Sequence, residues 1–223
     1  MINHNIIRYI DIQILKMSGL IIAISGGIGV GKTTLGELLA DRLDAIFYQE
    51  PVNDVLLKQF LDNPQKYAYA FQLYMLTRRQ LNYALALENK KQNKTTIIDR
   101  SLRCDKVFAN LQHATGSITA DEINVYNEVF ADFTNFKPDV VIHLDASIDT
   151  LMKRIHSRGR DGESTYTYEY LTLLDAEYNN AVKELEKNNI KVCRIDWNTH
   201  INLDNEGEVK NLLDRVVDEI DAE

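Results

Sequence analysis

The sequence predicts an α/β fold in which a parallel sheet of five strands is covered by helices on both faces. Three observations support this. Short apolar runs alternate with longer helical stretches, no internal repeat or low-complexity tract interrupts the chain, and 223 residues with 45% hydrophobic residues suffice for one core. We therefore expect a main domain at residues 18–223, preceded by an extension at residues 1–17.

Five apolar runs are the candidate strands. The first is continuous and ends in glycines, as expected for a strand that is buried on both faces. The runs occupy residues 19–25, 45–49, 95–99, 139–144 and 191–196. Ligands bind at the carboxyl ends of the strands in such sheets. The residues at these ends, Gly26, Glu50, Asp99 and Asp145, are therefore the first candidates for chemistry.

Helical stretches separate these runs. After the first run, leucines recur at the spacing of an amphipathic helix, at positions 35, 38, 39 and 43. A long helical region from about residue 52 to residue 91 is interrupted near Asp62-Asn63-Pro64, because proline disfavours a helical conformation in the residue before it. The sheet is thus expected to be built from βαβ units.

The N-terminal segment is rich in isoleucine but lacks the features of a targeting signal. It contains Asp11 and only Arg8 and Lys16 as cations, which fits neither a signal peptide nor a transit peptide. Met17 lies just before the first apolar run. We therefore expect residues 1–17 to be a dispensable extension, or the product of an upstream start codon.

Composition narrows the functional classes. A formal net charge of −8 argues against nucleic acid as the main partner, although a small phosphorylated ligand needs only a local cluster of donors. No segment approaches the ~20 apolar residues of a membrane span. Cys104 and Cys193 form no CxxC pair and indicate reduced thiols in a cytoplasmic protein.

A phosphate-binding loop is the strongest signal in the sequence. Residues 26–33 match the pattern GxxxxGK[ST] between a buried strand and an amphipathic helix, which is the context that this motif requires. Backbone N–H groups of such a turn cradle phosphates, and the helix N-terminus adds positive partial charge. The predicted ATP-binding residues here are Gly26, Gly27, Ile28, Gly29, Val30, Gly31, Lys32, Thr33 and Thr34.

Within this loop Lys32 is expected to reach the β- and γ-phosphates, and the Thr33 hydroxyl is expected to bind Mg²⁺. The fold class is accordingly a P-loop NTPase-type three-layer sandwich. A GTPase would also show a DxxG switch and an NKxD segment, and the nearest string, residues 93–96, lacks the aspartate. A motor ATPase would typically be larger or more basic.

A kinase needs a base for the acceptor hydroxyl, cations for the migrating phosphoryl group and a device that excludes water. Glu50 is the candidate base, and Asp99-Arg100 follows the third strand beside the phosphate loop. Three further arginines form a candidate lid: Arg154, Arg158 and Arg160. Each group alone could equally be a solvated charge, but their order after a phosphate loop favours a kinase.

Five motifs in this order resemble the deoxyribonucleoside kinase family, which includes deoxycytidine, deoxyguanosine, deoxyadenosine and mitochondrial-type thymidine kinases. The resemblance extends from about Leu20 to Asp196. It rests on the phosphate loop, on Glu50-Pro51-Val52, on the segment 63–72 ending in Phe71-Gln72, on Asp99-Arg100-Ser101, and on the arginine-rich segment 154–163.

The resemblance implies a role for each matching residue. Glu50 is the base for the 5′-hydroxyl, Gln72 contacts the nucleobase, and Glu163 binds the 3′-hydroxyl of the sugar. Arg100 and Lys32 act on the transferring phosphoryl group, and Asp99 lies with Thr33 near Mg²⁺. The lid arginines Arg154, Arg158 and Arg160 contact the phosphates. A homodimer is the assembly that the family commonly forms.

The resemblance also bears on substrate choice. Relatives that accept deoxycytidine or purine deoxynucleosides carry an arginine and an aspartate at the positions of Arg79 and Asp105, whereas thymidine-preferring relatives have uncharged residues there. Gln72 and Arg79 share one helical face, about 10.5 Å apart. We therefore expect deoxyadenosine or deoxyguanosine, or else deoxycytidine, to be preferred over thymidine.

One position departs from the family. Leu61 replaces a tyrosine that helps many relatives bind the 3′-hydroxyl, so Glu163 acts alone, a nearby tyrosine substitutes, or sugar discrimination is relaxed. His143 is interpreted as a strand residue and not as a metal ligand.

The sequence leaves two alternative functions open. A nucleoside monophosphate kinase of thymidylate type could use the arginines Arg78, Arg79 and Arg103 for the acceptor's phosphate. A nucleotide-binding protein without catalysis would typically have lost the lysine, the base or the lid arginines.

Overall fold

The computed structural model describes residues 19–133, 137–199 and 201–222. The predicted extension at residues 1–17 lies outside the described residues. Five strands form one sheet: β1 (Ile21–Gly26), β2 (Ile46–Tyr48), β3 (Thr96–Asp99), β4 (Val140–Asp145) and β5 (Lys191–Asp196). All of the predicted strands are present, with ends that differ by at most two residues from the apolar runs.

Eight α-helices lie in the described residues. The first four are α1 (Lys32–Leu43), α2 (Asp54–Asp62), α3 (Pro64–Lys91) and α4 (Leu102–Ala114). The others are α5 (Ala120–Ala131), α6 (Ile148–Arg158), α7 (Tyr168–Lys187) and α8 (Glu206–Asp221), and a short 3-10 turn, Glu163–Thr165, lies between α6 and α7. Among these helices, none is both long enough and apolar enough to cross a membrane.

The sheet is parallel throughout, with the strand order β2-β3-β1-β4-β5. All six residues of the central strand β1 are buried, because helices cover both faces of a parallel sheet. Ile24 is paired with Asp99 on β3, and Gly26 with Leu144 on β4. The register therefore places the phosphate loop directly beside Asp99 and close to the end of β4.

The break predicted near residues 62–64 separates α2 from α3 and is built by two asparagine caps. The Asn53 side chain accepts hydrogen bonds from the first turn of α2, and Asn63 accepts one from the Lys66 backbone N–H at 3.2 Å. Pro64 occupies the first position of α3, where its missing N–H is not needed. After this corner, α3 runs with Gln72 and Arg79 among its buried residues.

Candidate active site

A cavity of about 970 Å³ lies at the carboxyl end of the sheet. It extends from the phosphate loop, past Glu50, to the buried face of α3. Of the sequence-predicted site residues, the cavity is lined by Ile28, Gly29, Val30, Gly31, Lys32, Thr33, Thr34, Glu50, Gln72, Arg79, Asp99, Arg100, Arg154, Arg158, Arg160 and Glu163. One continuous space therefore joins the residues assigned to ATP and those assigned to the acceptor.

The phosphate loop has the shape that its glycines predict. Gly31 has a φ of 104°, which favours glycine, and a Cβ added there would meet the Trp197 indole nitrogen at a tight 3.0 Å. Lys32 Nζ donates to the Gly27 carbonyl at 2.8 Å. Burial, followed by the charge of Arg100, lowers the pKa of Lys32 to about 8. Lys32 is therefore still mostly charged at neutral pH, and a phosphate beside it would raise this pKa again.

Thr33 and Asp99 form an oxygen-rich pair next to this loop. Thr33 Oγ1 donates to Asp99 Oδ2 at 2.7 Å, and Asp99 is 3% exposed. Within the described part of the chain, the buried Asp99 Oδ1 has no hydrogen-bond partner. A hydroxyl and a carboxylate with a free oxygen are hard donors of the kind that Mg²⁺ prefers, so these residues fit a magnesium ion that accompanies a nucleotide.

Glu50 is held by two arginines from different elements. Arg100 Nε donates to Glu50 Oε2 at 3.0 Å, and Arg79 NH2 donates to Glu50 Oε1. Burial raises the pKa of Glu50, but Arg100, Arg79 and Lys32 outweigh this effect and lower the pKa to about 2. Glu50 is therefore an ionised carboxylate at neutral pH and able to accept a proton.

Arg100 connects Glu50 to the phosphate loop. Its NH1 group donates to the Gly26 carbonyl at 3.1 Å and to the Tyr178 hydroxyl. Its guanidinium also lies over the Phe108 ring, 4.9 Å from the centroid. Bonds on several sides fix the direction of this side chain, which fits the predicted role of Arg100 at the transferring phosphoryl group.

Gln72 and Arg79 present polar groups to the inner end of the cavity, and both are anchored on Asp105. Gln72 Nε2 donates to the Asp105 backbone carbonyl at 3.3 Å, and Arg79 NH1 donates to Asp105 Oδ1. Asp105 itself is fully buried at 0% exposure. The structure therefore brings the predicted pair Arg79 and Asp105 together, with Arg79 facing the cavity.

The lid arginines converge on the cavity from α6 and the turn after it. Arg154 donates to the Val30 carbonyl at 3.1 Å, which links α6 to the phosphate loop. Arg158 donates to Glu163 Oε2 at 3.1 and 2.6 Å, and Arg160 lies 3.7 Å from Glu163 Oε1. Glu163 is 3% exposed, so its carboxylate depends on these cations in the ligand-free protein.

Sequence reasoning did not single out several aromatic residues of the site. Tyr166 and Tyr170 line the cavity with stacked rings, 5.3 Å between centroids, and Trp197 lines it next to the phosphate loop. The spacing of Tyr166 and Tyr170 by four residues around the start of α7 was a visible signal. Trp197 follows β5 and carries no motif that would have identified it.

Two other predicted residues are placed away from this cluster. Leu61 is 9% exposed at the end of α2, and its Cδ1 would lie 2.9 Å from a Cβ added to Gly162 in the lid. His143 lies in β4 at 2% exposure, with Nε2 3.1 Å from Asp145.

Comparison with known protein families decides which kind of kinase carries this arrangement. The family model described as deoxynucleoside kinase matches residues 22–221. The chain belongs to the deoxynucleoside kinase family. The resemblance inferred from the five motifs is therefore confirmed, and the protein is a deoxynucleoside kinase with the expected fold and enzyme class.

Individual relatives agree with this membership. The chain is 32% identical over 194 residues to a deoxyadenosine kinase of Dictyostelium discoideum, covering 86% of this chain and 78% of the relative. It is 32% identical over 200 residues to a deoxyguanosine kinase of the same organism, covering 88% and 68% of the two chains. A structure of deoxyadenosine kinase from M. mycoides with bound dATP has a TM-score of 0.73 at 24% identity, covering 88% and 98%, and shares the fold.

Proposed function

We propose that this deoxynucleoside kinase transfers the γ-phosphoryl group of ATP to the 5′-hydroxyl of a deoxyribonucleoside in nucleotide salvage. The observation that carries the proposal is the position of Glu50. Its ionised carboxylate lies between the phosphate loop and the pocket of Gln72 and Arg79, held by Arg100 and Arg79. A base at this position can act only on an acceptor hydroxyl that points toward the nucleotide.

The mechanism follows from this order of groups. Glu50 accepts the proton of the 5′-hydroxyl as its oxygen attacks the γ-phosphorus and the bond to the leaving ADP oxygen breaks. Lys32, Arg100 and the lid arginines stabilise the charge on the transferring group. Thr33 and Asp99 would hold Mg²⁺, which supplies charge neutralisation on the phosphates.

The nucleobase pocket favours purine deoxynucleosides or deoxycytidine over thymidine in this proposal. The buried ion pair of Arg79 with Asp105 narrows the inner end of the cavity against a 5-methyl group. Relatives named deoxyadenosine kinase and deoxyguanosine kinase support a purine as the first choice. Gln72 can supply both a donor and an acceptor to the base.

The sugar would be read by Glu163. Leu61 packs against the lid, and Tyr166 is a tyrosine close to the Glu163 carboxylate. Burial raises the pKa of Tyr166 above the ordinary tyrosine value, and the neighbouring Tyr170 and Glu163 raise it further. Tyr166 therefore remains a neutral hydroxyl that can donate to a sugar oxygen. Glu163 and Tyr166 together can take the role that the family assigns to glutamate and tyrosine.

Two features bear on location and assembly. Cys104 and Cys193 are buried free thiols, which supports a reducing, cytoplasmic location. Leu81 and Leu85, one turn apart on α3, are 46% and 43% exposed, which supports the homodimer that the resemblance implies. Light scattering of the purified protein would distinguish a dimer from a monomer.

The thymidylate-type alternative receives no support from the relatives or from the arginines that it would need. Arg103 lies 3.9 Å from Glu184 on α7, and Arg78 is exposed. Arg79 is already engaged by two carboxylates. These three side chains therefore do not converge on an acceptor phosphate.

The test is a transfer assay with ATP and Mg²⁺ that offers the four deoxynucleosides and their monophosphates in parallel. We expect phosphorylation of deoxyadenosine or deoxyguanosine, at least 100-fold slower in Glu50→Gln, because the variant keeps the shape but loses the base. The paired change Arg79→Met with Asp105→Ala should admit thymidine. Activity on monophosphates alone would overturn the proposal, and turnover of thymidine alone by the wild type would overturn the base preference.

A further inference from the structure

Tyr126 on α5 is a fully buried tyrosine that contacts Asp105, the partner of Gln72 and Arg79. It is 0% exposed, and its hydroxyl donates to Asp105 Oδ2 at 2.6 Å. Burial raises the pKa of Tyr126 above the ordinary tyrosine value, so the hydroxyl keeps its proton at all working pH values. Tyr126 is thus a permanent donor to a carboxylate that has no contact with solvent.

Asp105 is in turn the anchor of both residues that present polar groups to the base. Its carboxylate accepts from Tyr126 on one oxygen and from Arg79 on the other. Its backbone carbonyl accepts from Gln72 Nε2 at 3.3 Å, and since a carbonyl only accepts, the amide orientation of Gln72 is fixed by chemistry. The direction of Gln72 and of Arg79 therefore depends on one residue.

Arg79 extends this chain of hydrogen bonds to the catalytic carboxylate. Its NH1 group bonds Asp105 and its NH2 group bonds Glu50. Within the described residues, the buried Nε of Arg79 has no partner. A rotation of the guanidinium toward Asp105 would let Nε bond that carboxylate, and Glu50 would then lose its bond to Arg79. The second oxygen of Asp105 must be occupied for the observed arrangement to hold.

We propose that Tyr126 is a positioning residue that, through Asp105, holds Arg79 in the orientation that joins the nucleobase pocket to Glu50. This inference rests on the proposed function, because it assigns Glu50 as the base. Arg79 then both faces the nucleobase and orients the carboxylate of Glu50. An acceptor whose base fails to match Arg79 and Gln72 loses turnover as well as affinity.

The test compares Tyr126→Phe with Tyr83→Phe, which removes a hydroxyl from another fully buried tyrosine, on α3 outside the cavity. For Tyr126→Phe we expect kcat with the preferred purine deoxynucleoside to fall about tenfold, as for loss of one hydrogen bond to a charged group. Selectivity over thymidine should fall as well, while the KM for ATP stays unchanged. Tyr83→Phe should match the wild type in each quantity.

The pH profile gives a readout that a merely structural role would not change. Glu50 faces Arg79 from α3, Arg100 after β3 and Lys32 in the phosphate loop, and each cation favours its ionised form. If Arg79 turns away, the pKa of Glu50 rises, and the acid limb of kcat/KM moves about one unit to higher pH in Tyr126→Phe. The limb should not move in Tyr83→Phe.

The outcomes separate this inference from the proposed function. If Tyr126→Phe and Tyr83→Phe have the same kcat, the same selectivity over thymidine and the same acid limb, the inference is overturned. The kinase activity itself would still stand. A wild type that phosphorylates no deoxynucleoside would overturn both. If Tyr126→Phe does not fold, the paired change Arg79→Met with Asp105→Ala takes its place, since it removes the Arg79 contact without leaving a buried charge unpaired. An unshifted acid limb in that protein would overturn the inference.

Discussion

Arg100 adopts a left-handed backbone conformation, with φ of 70°, in which residues other than glycine are uncommon. Its backbone N–H donates to the Ile24 carbonyl at 3.0 Å, and its side chain bonds Glu50 and Gly26. Strain of this kind persists where the surrounding structure fixes it, and it concentrates at functional sites. The conformation aims the guanidinium between Glu50 and the phosphate loop.

This strain predicts an unusual order of stability for two variants. Arg100→Gly and Arg100→Ala both lose the guanidinium, and kcat should fall at least 100-fold in each. Because glycine accepts a positive φ and alanine does not, Arg100→Gly should be more stable by about 1 kcal/mol, the reverse of the order in a helix. Urea denaturation of both proteins measures this difference. Equal stability, or a more stable alanine variant, would show that the backbone is unstrained.

At the scale of single residues, the sequence identified groups that belong to contiguous motifs. Lys32, Thr33 and Asp99 were assigned from the phosphate loop and a strand end, and the structure brings them together. Tyr126 could not be assigned this way. It meets Asp105 from a different helix, 21 residues along the chain, and no local spacing encodes a contact between two helices.

Among the elements, the lid shows how the departure at Leu61 is accommodated. Leu61 lies in the last turn of α2 and packs against the turn that carries Glu163, where Gly162 has a φ of 82°. A tyrosine at this position would need space that the lid now occupies. The end of α2 and the lid turn therefore pack closely, and a substitution in one should change the energetic cost of a substitution in the other.

A double-mutant cycle on Leu61→Ala and Gly162→Ala tests this fit. Gly162→Ala alone should destabilise the fold through its positive φ and through the 2.9 Å approach to Leu61 Cδ1. With Leu61→Ala present only the first effect remains, so the two costs should be non-additive by about 1 kcal/mol. Unfolding free energies of the four proteins give the result. Additive costs would mean that Leu61 and Gly162 are not energetically coupled.

The sequence predicted the strands but not their order in the sheet. Each strand is a local apolar run, and all five predicted runs form strands. The order β2-β3-β1-β4-β5 depends on which long crossovers pack together, and this is determined by side chains far apart in sequence. The aromatic wall of the cavity has the same origin, since Tyr166 and Trp197 reach it from the segments just before α7 and just after β5.

For the molecule as a whole, the ion pairs around Glu50 make the free energy of unfolding depend on pH. Despite burial, which raises its pKa, the cations Arg100, Arg79 and Lys32 lower the pKa of Glu50 from 4.5 to about 2. Between these values the unfolded chain binds more protons than the folded one. The contribution of Glu50 is therefore fully present above about pH 4.5 and is lost as the pH falls toward 2.

The comparison of wild type with Glu50→Gln isolates this contribution. The difference in unfolding free energy should be constant from neutral pH to about pH 5 and then decrease, by up to about 3 kcal/mol in total. Glu88→Gln is the matched control, because Glu88 pairs with Lys91 on the exposed surface of α3 and such pairs contribute little. Urea denaturation across the acid range provides the measurement. A difference that stays flat below pH 5 would mean that Glu50 has the same pKa in the folded and unfolded chains, so the arginines would not favour its ionised form beyond what water does.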